Sequence, residues 1–296
     1  MRNDTFQLAG SESGTVGGVN NNWDTFIGGG GTDRIYVAPK SGYSWTAIMI
    51  ADNGLDSVES IVFNISGTIK PIYFAGDVDF SSVTSMTAGV KIYGRGNDNT
   101  FTGGSLGEYV EGDGGNDTLY GNGGNDTLYG DTTTDNPWAV SYTAAGNDWL
   151  YGGDGNDQVN GQGGNDQLFG DAGDDDLYGG AGTDQLRGGQ GSDELYGDAG
   201  DDLLDGSDGG NVLWGGSGID TFQFTSAGDQ STIQDFEIGT ERLRFDVGLA
   251  DDFSDLTIVD DINGNAHITV GDVDITLVGV ASSSINSSFI DFGLYA

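Results

Sequence analysis

Ten aspartates between residues 117 and 220 stand nine residues apart, or a multiple of nine once one insertion is set aside: Asp117, Asp126, Asp148, Asp157, Asp166, Asp175, Asp184, Asp193, Asp202 and Asp220. A carboxylate repeated singly in this way suits ligand chemistry better than acid–base catalysis. Each takes the sixth place of a nine-residue unit, as in GDGGNDTLY (Gly112–Tyr120), GNGGNDTLY (Gly121–Tyr129), GGDGNDQVN (Gly152–Asn160) and, in unbroken register, GQGGNDQLF, GDAGDDDLY, GGAGTDQLR, GGQGSDELY and GDAGDDLLD; a last unit, GGSGIDTFQ, starts at Gly215. Positions 1 and 4 are glycine and position 2 often is, a residue that tolerates positive φ angles and close backbone approach in a tight turn. Such a turn aims several carbonyl oxygens inward, notably around the leading glycines Gly112, Gly121, Gly152, Gly161, Gly170, Gly179, Gly188, Gly197 and Gly215. Carbonyl and carboxylate oxygens are hard ligands, which suit calcium far better than zinc or copper.

Something must hold these turns. Positions 7 to 9 read as a short strand whose middle residue points inward (Leu119, Leu128, Val159, Leu168, Leu177, Leu186, Leu195, Leu204), as period-two alternation requires. A disordered Gly/Asp tract would have no use for that apolar column. A fixed period of this length means a solenoid, with turn, strand, turn, strand making one coil of two units. One edge then carries Asp117, Asp148, Asp166, Asp184, Asp202 and Asp220, and the other Asp126, Asp157, Asp175 and Asp193, ending at Asn211 where the carboxylate is lost.

The nonapeptide resembles the hemolysin-type calcium-binding repeat of the RTX (repeats-in-toxin) family over more than a third of the chain. That resemblance implies an all-β fold, a calcium-binding parallel β-roll (solenoid) with β-rich N-terminal and C-terminal caps, in which calcium sits between turns stacked on one edge. The gaps between stacked turns give roughly eight calcium ions at extracellular affinities. It also implies type I secretion through an uncleaved C-terminal signal, the chain leaving the cell unfolded and folding in external calcium.

Three regions follow: 1–93, a β-rich N-terminal region, either a metal-free solenoid or a cap; 94–223, the roll; and 224–296, a C-terminal β cap with the secretion signal. Gly94–Thr102 and Gly103–Glu111 keep the nine-residue step but have Asn99 and Glu108 at position 6, so they read as leading coils with poor or absent calcium sites. Further back Phe74, Val83 and Ile92 fall on the inward place. An isolated unit, GGGGTDRIY (Gly28–Tyr36), either holds calcium through Asp33 or is a remnant turn. One unit is interrupted by thirteen residues, Thr132–Ala144, with Pro137, Trp138 and Tyr142; it is a tolerated surface insertion or a presented loop. After the roll, STIQDFEIGTERLRFD (Ser231–Asp246) and the strands that follow resemble the C-terminal cap of serralysin-type RTX proteins, with hairpin turns at Asn263-Gly264 and Gly271-Asp272.

The formal charge is −38, and residues 96 onward hold only three bases, Arg187, Arg242 and Arg244. Without metal such a chain repels itself and stays expanded; calcium cancels the charge, and its binding energy becomes folding energy. A nucleic acid partner is excluded by the same charge. With no cysteine, disulfides contribute nothing. No stretch approaches a transmembrane helix, and the N-terminus lacks a secretory signal pattern.

Catalysis finds little material. The single histidine, His267, falls in a predicted hairpin strand, no HExxH motif occurs, and Glu12 stands where a G-x-S-x-G nucleophile would be. Recognition is the stronger second activity: outward position 9 lines up Tyr120, Tyr151 and Phe169 on one sheet and Tyr178, Tyr196 and Trp214 on the other. These aromatics are candidates to contact a ligand such as a surface glycan, or simply stiffen the sheets. The expectation is a secreted, non-catalytic, calcium-folded structural or adhesive component of a cell or virion surface that binds calcium and itself. The rivals are a carbohydrate-binding module and a hydrolase or polysaccharide-modifying enzyme with its site in residues 1–93.

Overall fold

The structure, a computed structural model, describes residues 80, 90–94, 98–131, 145–225, 228–246 and 248–293 in full, and before residue 80 the backbone of the strands given below. Two compact units result, Met1–Trp149 and Leu150–Ala296.

In the second unit two parallel sheets wind together. One contains Gln158–Gly163, Asp176–Ala181, Glu194–Ala199, Val212–Trp214 and Gln230–Ile233; the other contains Gln167–Ala172, Gln185–Gln190, Leu203–Asp208, Thr221–Phe224 and Arg242–Phe245. Register steps by two nonapeptides, Gln158 on Asp176 and Asp176 on Glu194 in one sheet, Gln167 on Gln185 in the other. This is a parallel β-solenoid of the β-roll kind. Between the sheets Leu150, Val159, Leu168, Leu177, Leu186, Leu195, Leu204 and Leu213 form one buried column, each contributing about 1.5–3 kcal/mol by leaving water.

The strands are longer than positions 7 to 9. They run six residues, into position 3 of the next unit, but pairing skips position 1: Asn160 pairs Tyr178 and the next pair is Gln162 with Gly180. Position 2 is where the chain kinks, with φ of 71° at Gln162, 73° at Asp171 and 72° at Asp198.

The first unit winds the same way. Thr5–Ala9, Arg34–Ala38, Ser60–Phe63 and Ser85–Met86 form one parallel sheet; Thr15–Val16, Ala47–Ala51, Ile72–Ala75, Ile92–Tyr93, Tyr109–Glu111 and Thr127–Tyr129 pair in parallel in a second; Asp77–Asp79, Thr100–Thr102 and Thr118–Gly123 do so in a third. Ile92 is buried; the side chains of Phe74 and Val83 lie outside the described residues, as do Asp33 and the insertion Thr132–Ala144. On either side of that insertion the winding holds, because Trp149 N–H donates to the Asp117 carbonyl at 2.9 Å.

Past the roll, Thr257–Asp260, Ala266–Val270 and Val273–Leu277 make an antiparallel meander whose last strand docks in parallel on Gln230–Ile233. Its turns fall at Gly264 and Gly271, both with positive φ. Phe222, Phe236 and Phe289 pack in sequence, with ring centroids 6.0 and 5.7 Å apart, and all three are buried where the coils stop. His267 lies in this meander with Nε2 3.3 Å from Asp274. Arg244 pairs with Asp291 at 3.6 Å, whereas Arg242 donates to the Ser288 carbonyl rather than to an acid. Among the described residues no helix is long and apolar enough to cross a membrane.

Candidate metal centre

Position 6 sits at the start of each strand, on the inner side of the turn, and its side chain is buried in every nonapeptide of the roll. The first oxygen of eight of these carboxylates is tied to the preceding coil. Asp184 Oδ1 accepts the N–H of Asp166 at 2.8 Å, Asp202 that of Asp184 at 2.8 Å, and Asp220 that of Asp202 at 2.9 Å. On the other edge Asp175 accepts from Asp157 and Asp193 from Asp175. In the first unit Asp117 accepts from Asn99, Asp148 from Asp117 and Asp126 from Glu108. The two edges are thus two carboxylate zippers, and within each unit the aspartates fall on the edges that the sequence assigns them.

The second oxygen is different. Oδ2 of Asp117, Asp175, Asp184, Asp193, Asp202 and Asp220 is buried without a hydrogen-bond partner. A charged oxygen in that state costs several kcal/mol, so it must be neutralised or coordinated. Burial, reinforced by neighbouring carboxylates, pushes Asp117 and Asp148 up to about 8, and Asp175 and Asp202 up to about 7. Burial likewise pushes Asp184 and Asp193 up to about 6 and raises Asp220, against the smaller opposite pull of the N–H each accepts.

The leading glycines explain themselves here. A Cβ on Gly161 would stand 2.3 Å from Asp166 Oδ2 and 2.8 Å from the Gly179 carbonyl oxygen; Gly152, Gly170, Gly179, Gly188 and Gly197 repeat that arrangement, and in the first unit so does Gly112. At Gly215 only Asp220 crowds the same point, at 2.5 Å. Position 1 therefore needs glycine for space rather than for positive φ, and the space is where a carboxylate oxygen and the carbonyl of the next coil converge. Gly121 precedes Asp126 at the same place, and its carbonyl oxygen lies 2.3 Å from a Cβ on Gly103. Among the described residues no three acidic or histidine side chains meet at one point, so any ion held here takes one or two carboxylates plus backbone oxygens. That donor set fits calcium and not zinc.

Asn211 tests the geometry within the chain itself. Its Oδ1 keeps the zipper, accepting Asp193 N–H at 3.0 Å, but Nδ2 occupies the place of the second oxygen and points a donor at the Ser207 carbonyl. An amide closes the zipper and offers no charge to a cation.

A second ladder escaped sequence reasoning. Position 5 runs outside the carboxylate columns, its side chain accepting the backbone N–H of position 5 one coil on: Asn165 from Thr183 at 2.9 Å, Asp174 from Ser192 at 2.9 Å, Asp201 from Ile219 at 2.8 Å. The frequent Asn or Asp just before the ligand was the available signal. Glu241 was missed as well. It stacks on Asp220 in the sixth-position register, since Asp220 accepts Arg242 N–H as Asp184 accepts Leu203 N–H, and it is buried and raised to about 7 by that burial.

The aromatic rows do line up. Tyr151 stacks on Phe169 at 4.8 Å, Tyr178 on Tyr196 at 4.8 Å and Tyr196 on Trp214 at 4.3 Å, all within 7° of parallel. Within each stacked pair the ring faces cover one another. Tyr120, in the first unit, is 36 % exposed.

A parallel β-solenoid with paired zippers of half-satisfied carboxylates defines a cation-binding roll. A family model described as the RTX calcium-binding nonapeptide repeat (4 copies) matches residues 20–37, 102–136 and, in overlapping copies, 142–222. The chain carries RTX calcium-binding nonapeptide repeats, and those repeats bind calcium. It is similar to the solution structure of the AlgE6R3 subunit of the Azotobacter vinelandii mannuronan C5-epimerase, at 29 % identity over 43 % of this chain and 79 % of that one, with a TM-score of 0.34. The AlgE6R2 subunit of the same enzyme matches at 24 % identity over 44 % and 91 %, TM-score 0.28. The extracellular lipase LipA of Serratia marcescens matches at 15 % identity over 88 % of this chain and 45 % of the lipase, TM-score 0.32. No curated protein matches the chain.

Proposed function

We propose that this is a secreted, non-catalytic, calcium-folded β-roll that serves as a structural or adhesive component of a cell or particle surface. One observation carries the reading: the zippered aspartates, Asp184 and Asp202 among them, bury a carboxylate oxygen with no partner. Only protons or cations make such a column tolerable, and at neutral pH the RTX repeats supply calcium as the cation. Position-6 aspartates and position-1 carbonyls are the ligands in this account, with roughly eight ions in all at the affinities of extracellular modules. Residues 94–223 form the roll, 1–93 lead into it and 224–296 close it, the last with a serralysin-like export signal for type I secretion.

Adding millimolar calcium to chelator-treated protein, with light scattering and electron microscopy of the product, tests the surface role. Sheets, filaments or large ordered particles support it; a compact monomer removes self-assembly.

A carbohydrate-binding reading has its own support. Phe169 pairs with Arg187 in the next strand, and both line a cavity of about 350 Å³ with Asp171, Gln190 and Ser207. An aromatic face ringed by a guanidinium, carboxylates and amides suits a sugar ring. Glycan screening with Phe169→Ala distinguishes this reading: binding lost in the variant supports it, and no binding by the parent chain removes it. An active site in residues 1–93 falls outside the described side chains.

A further inference from the structure

The segment Asp229–Gln230 is held from two sides. Toward the roll, Asp229 bridges Gly209 in parallel, Gln230 N–H donates to the Gly209 carbonyl at 2.9 Å, and Asn211 N–H donates to the Gln230 carbonyl at 3.1 Å. Toward the cap, the Asp229 carbonyl accepts Asp274 N–H at 2.9 Å, and Gln230 pairs with Asp274 in the strand Val273–Leu277. One short stretch of backbone thus carries the start of the dock between roll and meander.

The side chain at this point is an acid outside every nonapeptide. Asp229 is 0 % exposed. Its Oδ1 accepts the hydroxyl of Ser231, and its Oδ2 has no hydrogen-bond partner. Among the described residues no base pairs with it. Arg187, the only base between residues 96 and 241, lies 3.7 Å from Asp205 instead, and His267 on the cap faces Asp274 at 3.3 Å. The charged groups of the roll that act on it, Asp205 and Asp208, are both acids.

A buried carboxylate without a counter-charge neutralises rather than staying ionised. A proton does this with no further ligand, whereas a cation would need several oxygens converging on Oδ2. Turning the charged group out to water is not open to the docked chain, because the Asp229 backbone is fixed from both sides. Docking and ionisation therefore oppose each other.

We infer that Asp229 is a proton latch, docking the cap on the roll in its neutral form and loosening the meander Thr257–Leu277 when it ionises. The latch is independent of the calcium columns. Burial pushes Asp229 up to about 7 against the pull of the Ser231 hydroxyl, with smaller pushes from Asp205 and Asp208. A freed Asp229 has the ordinary value of 3.8, so the latch holds fully below about pH 4 and its contribution is lost as pH rises to about 7.

Hydrogen exchange of the full chain in saturating calcium, read by mass spectrometry and normalised to the intrinsic rate at each pH, measures docking. Asp229→Asn stays neutral and keeps the acceptor for Ser231. Protection of the cap strands Ala266–Val270 and Val273–Leu277 in this variant, relative to the parent, is expected to rise at least tenfold between about pH 5 and about pH 8. The roll strand Asp176–Ala181 should show no such rise. Protonation of the columns and of His267 is common to both chains and cancels in the ratio. A ratio that does not change with pH overturns the latch. So does loss of a bound calcium ion in Asp229→Asn by native mass spectrometry, which would put a cation in place of the proton. Should Asp229→Asn fail to fold, Ser231→Ala decides. It removes the hydroxyl that favours the charged form, so the pH at which cap protection stops falling moves upward; an unmoved value overturns the inference.

Discussion

Asp184 accepts the backbone N–H of Asp166 through Oδ1 at 2.8 Å, while its Oδ2 lies buried without a partner. One side chain therefore does two separable jobs, stitching two coils and presenting a charged ligand. Asp184→Asn separates them, as Asn211 does naturally. It is expected to lose one calcium ion by calorimetry yet fold at saturating calcium. Asp184→Ala removes the stitch too and destabilises by a further ~0.5–1.5 kcal/mol, read from denaturant midpoints at high calcium.

The raised carboxylates predict the pH dependence. Their folded pKa values, from about 6 at Asp184 to about 8 at Asp117, lie above the ordinary value of 3.8. In chelator, the fold is relieved of their charge below about pH 4, and that relief is lost as pH rises through 6 to 8. Chelated protein should accordingly hold more β structure at pH 4 than at pH 8, by circular dichroism. Calcium competes with the same protons, so its midpoint weakens on acidification below about pH 7, by about tenfold per pH unit for each proton displaced.

Glycines of two kinds should respond differently. Gly161→Ala drives a Cβ to 2.3 Å from Asp166 Oδ2, an overpacking of about 1–3 kcal/mol, and displaces a proposed ligand. Gly239 has φ 87° but nothing within 4 Å of an added Cβ. Gly239→Ala pays only the left-handed backbone strain, about 1–2 kcal/mol, with the calcium midpoint unmoved. Parallel denaturant and calcium titrations distinguish the two.

Much of this was legible in the sequence. The nine-residue step fixed which aspartates share an edge, and the column from Leu150 to Leu213 is buried as period-two alternation requires. What the pattern hid has physical causes. Gln162, Asp171 and Asp198 take positive φ at position 2 without being glycine, so strands continue past a kink that composition does not mark. Glu241 stacks on Asp220 in a coil that departs from the two-nonapeptide length, and no period points to it. Tyr178, Tyr196 and Trp214 align as expected, but stacking at 4.3–4.8 Å covers the faces that a ligand would use, which spacing alone does not reveal.

The outer ladder should contribute stability without metal. Asn165 Oδ1 accepts Thr183 N–H at 2.9 Å on the exposed side of the turn. Asn165→Ala is expected to lower stability by ~0.5–1 kcal/mol and to leave the number of bound ions unchanged, as native mass spectrometry would show.

Far-ultraviolet circular dichroism of the chelated chain at pH 7.5, titrated with calcium and separately with magnesium, tests the central claim most directly. The account predicts an expanded chain in chelator and a cooperative gain of β structure with calcium at ~0.1–1 mM, with no equivalent gain in magnesium. A full β signal persisting in excess chelator at that pH would contradict it, because the buried carboxylates would then need no cation.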